Sequence, residues 1–166
     1  MGDEVDRLVA AWSRERPDLD LEPLQVLSRV SRLGRHLDRA RRSAFARHGL
    51  EPWAFDVLAA LRREGSPHQL TAGALLTATL VTSGTMTNRI DRLEAAGLVR
   101  RLGDPADGRV VQVRLTPDGL ARVDAAMSEL LGHERELLGG LGTDDRRALA
   151  GLLRQALTTF DLPREA

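Results

Sequence analysis

The chain has no cysteine and no tyrosine, and only three phenylalanines and two tryptophans in 166 residues. Lysine is also absent, so every basic residue is an arginine. Without cysteine there is no disulfide framework, no thiolate metal site and no cysteine-based oxidation sensor. The histidines, His36, His48, His68 and His133, never fall three or four residues apart. A zinc site built from sequence neighbours is therefore not expected. No apolar run approaches the ~20 residues that a membrane span needs. The acidic start, Asp3, Glu4 and Asp6, has the wrong sign for a secretory leader. No membrane partner and a cytoplasmic location are expected. There is also no Ser-His-Asp order, catalytic carboxylate pair or Gly-rich phosphate loop, so an enzyme is not expected, nor a cofactor.

What is present is one domain's length of chain, enough to bury a core without staples. Net charge is zero and the pI is near 6.9. That argues against a protein that coats nucleic acid through phosphate neutralisation alone. It leaves room for a sequence-specific reader, for which the placement of charge matters. The charge is indeed divided. Arginines 29, 32, 35, 39, 41, 42 and 47 crowd residues 24–48 against Asp38 alone, whereas residues 116–166 are acidic.

Helical periodicity dominates. A first helix is expected over 3–15, with Leu8, Val9 and Trp12 on one face, ended by Pro17. A long helix over 23–47 follows, with an apolar stripe at Leu27, Val30, Leu33, Leu37, Ala40 and Ala44. Its arginines step along the opposite face, either as a solvated surface or as one that meets phosphates or anions. Gly49 ends it, Pro52 opens the next helix over 52–64, and Gly65 suits its C′ position. Thr71 caps a short helix over 71–77. A turn through Ala78–Val81 leads to a helix over 83–96, which buries Met86, Ile90, Leu93 and Ala96 and stops at Gly97. Strands are expected at 98–102 and 109–115, the second with Val111, Val113 and Leu115 packed on one face. Thr116 and Pro117 start a helix to about 138, with Val123, Met127, Leu130, Leu131 and Leu137 as its apolar positions. Thr143 opens the last, with Leu149, Leu152, Leu153, Leu157 and Phe160. The fold class is mainly α with a two-stranded β wing, a winged helix-turn-helix. The terminal helices carry more leucine than thin helices bury alone, which points to a partner chain.

The 83–96 helix has the two-faced character of a DNA recognition helix. Thr85, Asn88, Arg89 and Arg92 are left outward. Ser83, Thr85 and Thr87 crowd the N-terminal end, where hydroxyls and backbone N–H groups suit phosphates and base edges. An Asn pairs with adenine and an Arg with guanine through two hydrogen bonds. The segment Asp104-Pro105-Ala106-Asp107-Gly108-Arg109 is a turn by composition. It places Arg109 at a tip suited to a narrow minor groove, with Asp107 as its brace.

The run Leu93-Glu94-Ala95-Ala96-Gly97-Leu98-Val99-Arg100-Arg101, the Asp107-x-Arg109 wing and Leu115-Thr116-x-x-Gly119 resemble the MarR family of bacterial regulators. The resemblance extends over nearly the whole chain. It implies a homodimer on a pseudo-palindromic double-stranded operator, usually a repressor, whose DNA affinity a small molecule alters. Residues 1–48 and 116–166 would form the dimerisation region, and 49–115 the winged helix-turn-helix. Gly108 departs from the second arginine many relatives carry, which makes this wing less basic. A narrower resemblance is to the urate-responsive subgroup, whose motifs Trp12, Asp56 and Arg89 match. Similar sequences respond to citrate or aconitate. An anionic effector would pair with Arg89 and be repelled by Asp56, while Trp12 stacks on it or donates its N–H. The plainer alternatives are a Trp12 in the dimer core, a structural Asp56–Arg89 ion pair, and an Arg89 bound to phosphate. The other class of function is a winged-helix protein–protein adaptor without specific DNA binding, favoured by the neutral pI alone.

Overall fold

The computed structural model describes residues 2–103 and 111–161, with the side chains of 159 and 161 left aside. The elements run α1 (Glu4–Glu15), α2 (Glu22–Arg47), α3 (Pro52–Arg63), β1 (Gln69–Thr71), α4 (Ala72–Thr79), α5 (Ser83–Ala95), β2 (Val99–Gly103), β3 (Val111–Leu115), α6 (Pro117–Leu137) and α7 (Thr143–Asp161). The starts follow local chemistry. The Asp3 carboxylate accepts from the N–H groups of Val5 and Asp6, and Asp6 answers it in a capping box. Thr71 accepts from the Ala74 N–H at 3.0 Å. Thr116 Oγ1 accepts from the Gly119 N–H at 3.0 Å and donates to the Gly97 carbonyl at 2.7 Å, which ties the start of α6 to the end of α5. Gly97 makes that turn at φ +72°, a conformation for which a Cβ is costly.

The sheet has three antiparallel strands in the order β1-β3-β2. The wing hairpin β2–β3 is the expected one, and β1 is an addition to it. Gln69-Leu70-Thr71 carries a single apolar residue, so its strand character comes from pairing with β3 rather than from local pattern. Val113 and Leu115 are buried, but Val111 is exposed, because the hairpin leaves the body of the domain before reaching it.

The core joins the end of α2 to α3, α4, α5, the sheet and α6. Phe45, Leu58, Leu61, Leu75, Met86, Ile90, Leu98, Val99, Val113 and Val123 are all but inaccessible. Phe45 stacks on Phe55 with ring centroids 4.0 Å apart, which locks α2 to α3. Met86, Ile90 and Leu93 hold α5 down as expected, whereas Ala96 is exposed, since the helix has already ended at Ala95.

The outer helices differ. Val5 is the one buried residue of α1, Trp12 is 47% exposed, and none of the described side chains of α7 is buried. Val26, Leu27, Val30 and Leu33 of α2 and Met127, Leu131 and Leu137 of α6 are also exposed. The basic face of α2 is partly neutralised by α1 and by other helices. Arg29 meets Asp3 and Asp6 at 2.9 and 2.7 Å, Arg32 meets Glu4, and Arg47 meets Glu129 at 2.8 Å.

Candidate DNA-binding surface

The α5 helix presents its N-terminal turns outward on a base of buried side chains. Ser83, Thr85, Thr87, Asn88 and Arg92 are exposed and Arg89 is half-buried. Thr82, at the N-cap, satisfies none of the first-turn N–H groups with its side chain. Its hydroxyl instead lies 3.0 Å from that of Thr85. Thr87 turns its hydroxyl back to the Ser83 carbonyl at 3.1 Å. The helix therefore offers unused backbone donors and the positive end of its dipole, the features that attract phosphate oxygens. A Cβ at Gly84 would meet nothing within 4 Å, so a ligand backbone can come close there.

Behind this face stands an aromatic that sequence reading did not single out. Trp53, in the first turn of α3, lines an open concavity with Gly84, Thr85, Asn88, Arg89 and Arg92. The Arg92 guanidinium lies 4.6 Å from the centre of its ring and that of Arg89 5.6 Å. The indole Nε1–H donates to Glu51 Oε2 at 2.6 Å, and Arg92 donates to Glu51 Oε1 at 2.5 Å. These two bonds, the indole's first, hold the Glu51 carboxyl below its ordinary pKa. The residues are 41 positions apart in the chain. The one hint in the sequence is an acid and a tryptophan flanking Pro52 at a helix start.

A second cluster couples α5 to the wing. The Arg101 backbone N–H donates to Glu94 Oε1 at 2.8 Å, and its guanidinium bonds Glu94 Oε2 at 2.6 Å and reaches Asp91. The backbone bond is the main reason the Glu94 carboxyl titrates below its usual range. Its folded-state pKa is depressed, so its contribution is present above about pH 4.5 and lost as pH falls through the lower folded value. Asp107 and Arg109, which the sequence assigns to the wing, lie outside the described residues.

The three residues matched to an effector site are not gathered within one subunit. Asp56 pairs with Arg41 at 3.3 Å. It lines a cavity of about 380 Å³ between α2, α3 and α6, together with Arg62, Arg63, Asp124 and Glu134. Arg89 lies over Trp53, and Trp12 sits exposed on α1. Among the described residues of one subunit no ion pair joins Asp56 to Arg89, and Arg41 meets the carboxylate instead.

A sequence model of the MarR family matches residues 48–110. The chain is 37% identical over 150 residues to the HTH-type transcriptional regulator PecS of Dickeya dadantii, covering 90% of each. The chain belongs to the MarR family. Its fold superposes on a mutant E. coli MarR complexed with operator DNA, with TM-score 0.67 and 28% identity, over 82% of this chain and 95% of that one. It also superposes on Bordetella bronchiseptica BpsR, whose DNA binding is regulated by 6-hydroxynicotinic acid. There the TM-score is 0.66 and the identity 31%, over 87% of this chain and 98% of that one. The protein is thus a DNA-binding transcription regulator with a winged helix-turn-helix, and its relatives are regulators rather than enzymes. Among the described residues no helix is long and apolar enough to cross a membrane.

Proposed function

We propose that this regulator is a cytoplasmic homodimeric repressor. It reads a pseudo-palindromic operator with α5 in the major groove and the wing around Asp107 and Arg109 in the minor groove. The observation that carries the reading is the face of α5, where Ser83, Thr85, Thr87 and Asn88 stand exposed around free helix N-terminal donors while Met86, Ile90 and Leu93 fix the helix from below. Arg89 and Arg92 flank that face. The dimer is supported by the apolar side chains left exposed on α1, α2, α6 and α7, including Leu8, Trp12, Leu27, Leu131, Leu152 and Phe160. Large apolar side chains left exposed in such number on terminal helices ordinarily meet a partner. The two termini, residues 1–48 and 116–166, supply this layer, and 49–115 supply the reading head.

The effector of this reading is a small anion such as urate, citrate or aconitate. The cavity beside Asp56 offers it a place, with Arg63 and Phe55 on a wall where Arg41 and Arg62 are paired with Asp56 and Asp124. The regulation of BpsR by an aromatic acid is in keeping with a planar anion. In this reading Trp12 stacks on the ligand or donates its N–H to it, and Arg89 pairs with the anion.

Gel shifts with the intergenic DNA upstream of its own gene test both parts. The expected result is tight binding to that duplex, weak binding to a shuffled duplex of equal length, and affinity that falls as salt rises. Sedimentation should return a particle of twice the 18.2 kDa chain mass. Urate or citrate should raise the midpoint, and Asp56→Asn should alter that response. Equal binding to both duplexes, indifferent to salt, would favour the adaptor reading. A midpoint unmoved by all three anions would remove the effector.

A further inference from the structure

Two arginines of the recognition helix share one indole, but they are not electrically alike. Arg92 is ion-paired with Glu51 at 2.5 Å while stacked on Trp53. Arg89 lies over the same ring with no carboxylate partner among the described residues. Glu51 is itself held in place by the indole N–H, so the acid, the ring and Arg92 form a closed three-membered contact. A guanidinium paired with a carboxylate has little net charge to offer a phosphate. A guanidinium stacked on an aromatic face without such a partner keeps its full charge and is oriented as well.

We propose that Glu51 and Trp53 are positioning residues of the DNA-reading surface, which hold Arg92 back from the DNA backbone and leave Arg89 as the phosphate-facing cation of the pair. This rests on the reading of α5 proposed above and narrows the role of Arg92 within it. The consequence is a weaker hold on DNA at large. Each phosphate contact strengthens binding to every sequence alike, so withholding one lowers affinity for operator and arbitrary DNA by the same factor. A larger share of the remaining operator affinity then comes from base edges, in keeping with a chain whose net charge is zero.

The test is the salt dependence of binding to a random duplex, measured by fluorescence anisotropy between 50 and 200 mM salt. Each phosphate neutralised adds about 0.9 to the slope of log K against log salt. Glu51→Gln keeps an acceptor for the indole N–H and removes the charge. It is expected to steepen the slope by about 0.9, so that the affinity lost over that range grows by roughly three- to fourfold. Arg89→Ala should lower the wild-type slope by about 0.9, and the double variant Glu51→Gln/Arg92→Ala should lose the steepening that Glu51→Gln alone brings. A merely structural role for Glu51 would alter thermal stability and leave the slopes alone. An unchanged slope in Glu51→Gln, or a steepened one that persists in the double variant, overturns the proposal even where DNA binding by α5 stands. If neither Arg89→Ala nor Asn88→Ala weakens operator binding, the underlying reading fails and this proposal with it.

Discussion

Gly119→Ala is expected to be among the most damaging single changes in the chain, costing about 3 kcal/mol. A Cβ at this position would run into the Leu98 carbonyl oxygen, with the carbonyl carbon at 2.9 Å and Cα at 3.2 Å. The obstacle is backbone, so it cannot turn away as a side chain would. That carbonyl also accepts the Thr116 N–H at 3.1 Å, and Gly119 donates to the Thr116 hydroxyl, so any shift also strains the start of α6. Displacing α6 withdraws Val123, Ala126 and Leu130 from the core. For a chain of this size the loss corresponds to a fall in Tm of roughly 6–12 °C. A thermal melt reads it directly, and an unchanged Tm would mean that the start of α6 does not lie against the Leu98 carbonyl as described.

Phe55→Ala should cost about 4 kcal/mol. The ring is 6% exposed and stacks nearly parallel on Phe45, with an interplanar angle of 13°. Removing it leaves a void that the rigid α2–α3 junction cannot close, and dispersion contacts are lost on the Phe45 face. Phe55 also lines the cavity beside Asp56, the effector site proposed above, so the ligand response is expected to change with it. Urea unfolding is expected to show a midpoint far below wild type with an unchanged m-value. A cost under about 1 kcal/mol would show that the two rings do not bear on one another.

Both positions illustrate what the sequence discloses. The Thr116-Pro117 start of α6 and the Gly97 stop of α5 are local signals, and the structure follows them closely. Met86, Ile90 and Leu93 were legible as an inner face because helical spacing alone selects them. The strand β1 was not, since three residues with one leucine acquire their conformation from β3. Ala96 was assigned to the core by extending the helical spacing past the last helical residue. Val111 kept the alternation of its strand but lost its burial, because the strand outruns the body of the domain.

The site divides in the same way. The exposure of Ser83, Thr85, Thr87 and Asn88 on one face was legible because one short helix carries them all. The partners of the arginines were not. Arg92 meets Glu51 across 41 residues and Arg41 meets Asp56 across 15, distances at which no periodicity operates. Matching Trp12, Asp56 and Arg89 to motifs said nothing of their mutual placement, and within one subunit they occupy three separate surroundings. Arg101, which clamps the wing strand to Asp91 and Glu94, was read only as part of a family motif.

The central claim is that α5 reads base sequence through its exposed face. Fluorescence anisotropy of wild type and Asn88→Ala on the upstream operator and on a random duplex, at one fixed salt concentration, tests it most directly. A lost bidentate base contact is worth about 1–3 kcal/mol, so Asn88→Ala should bind the operator roughly 5- to 150-fold more weakly and the random duplex equally well. Equal weakening on both duplexes, or none on the operator, would contradict it.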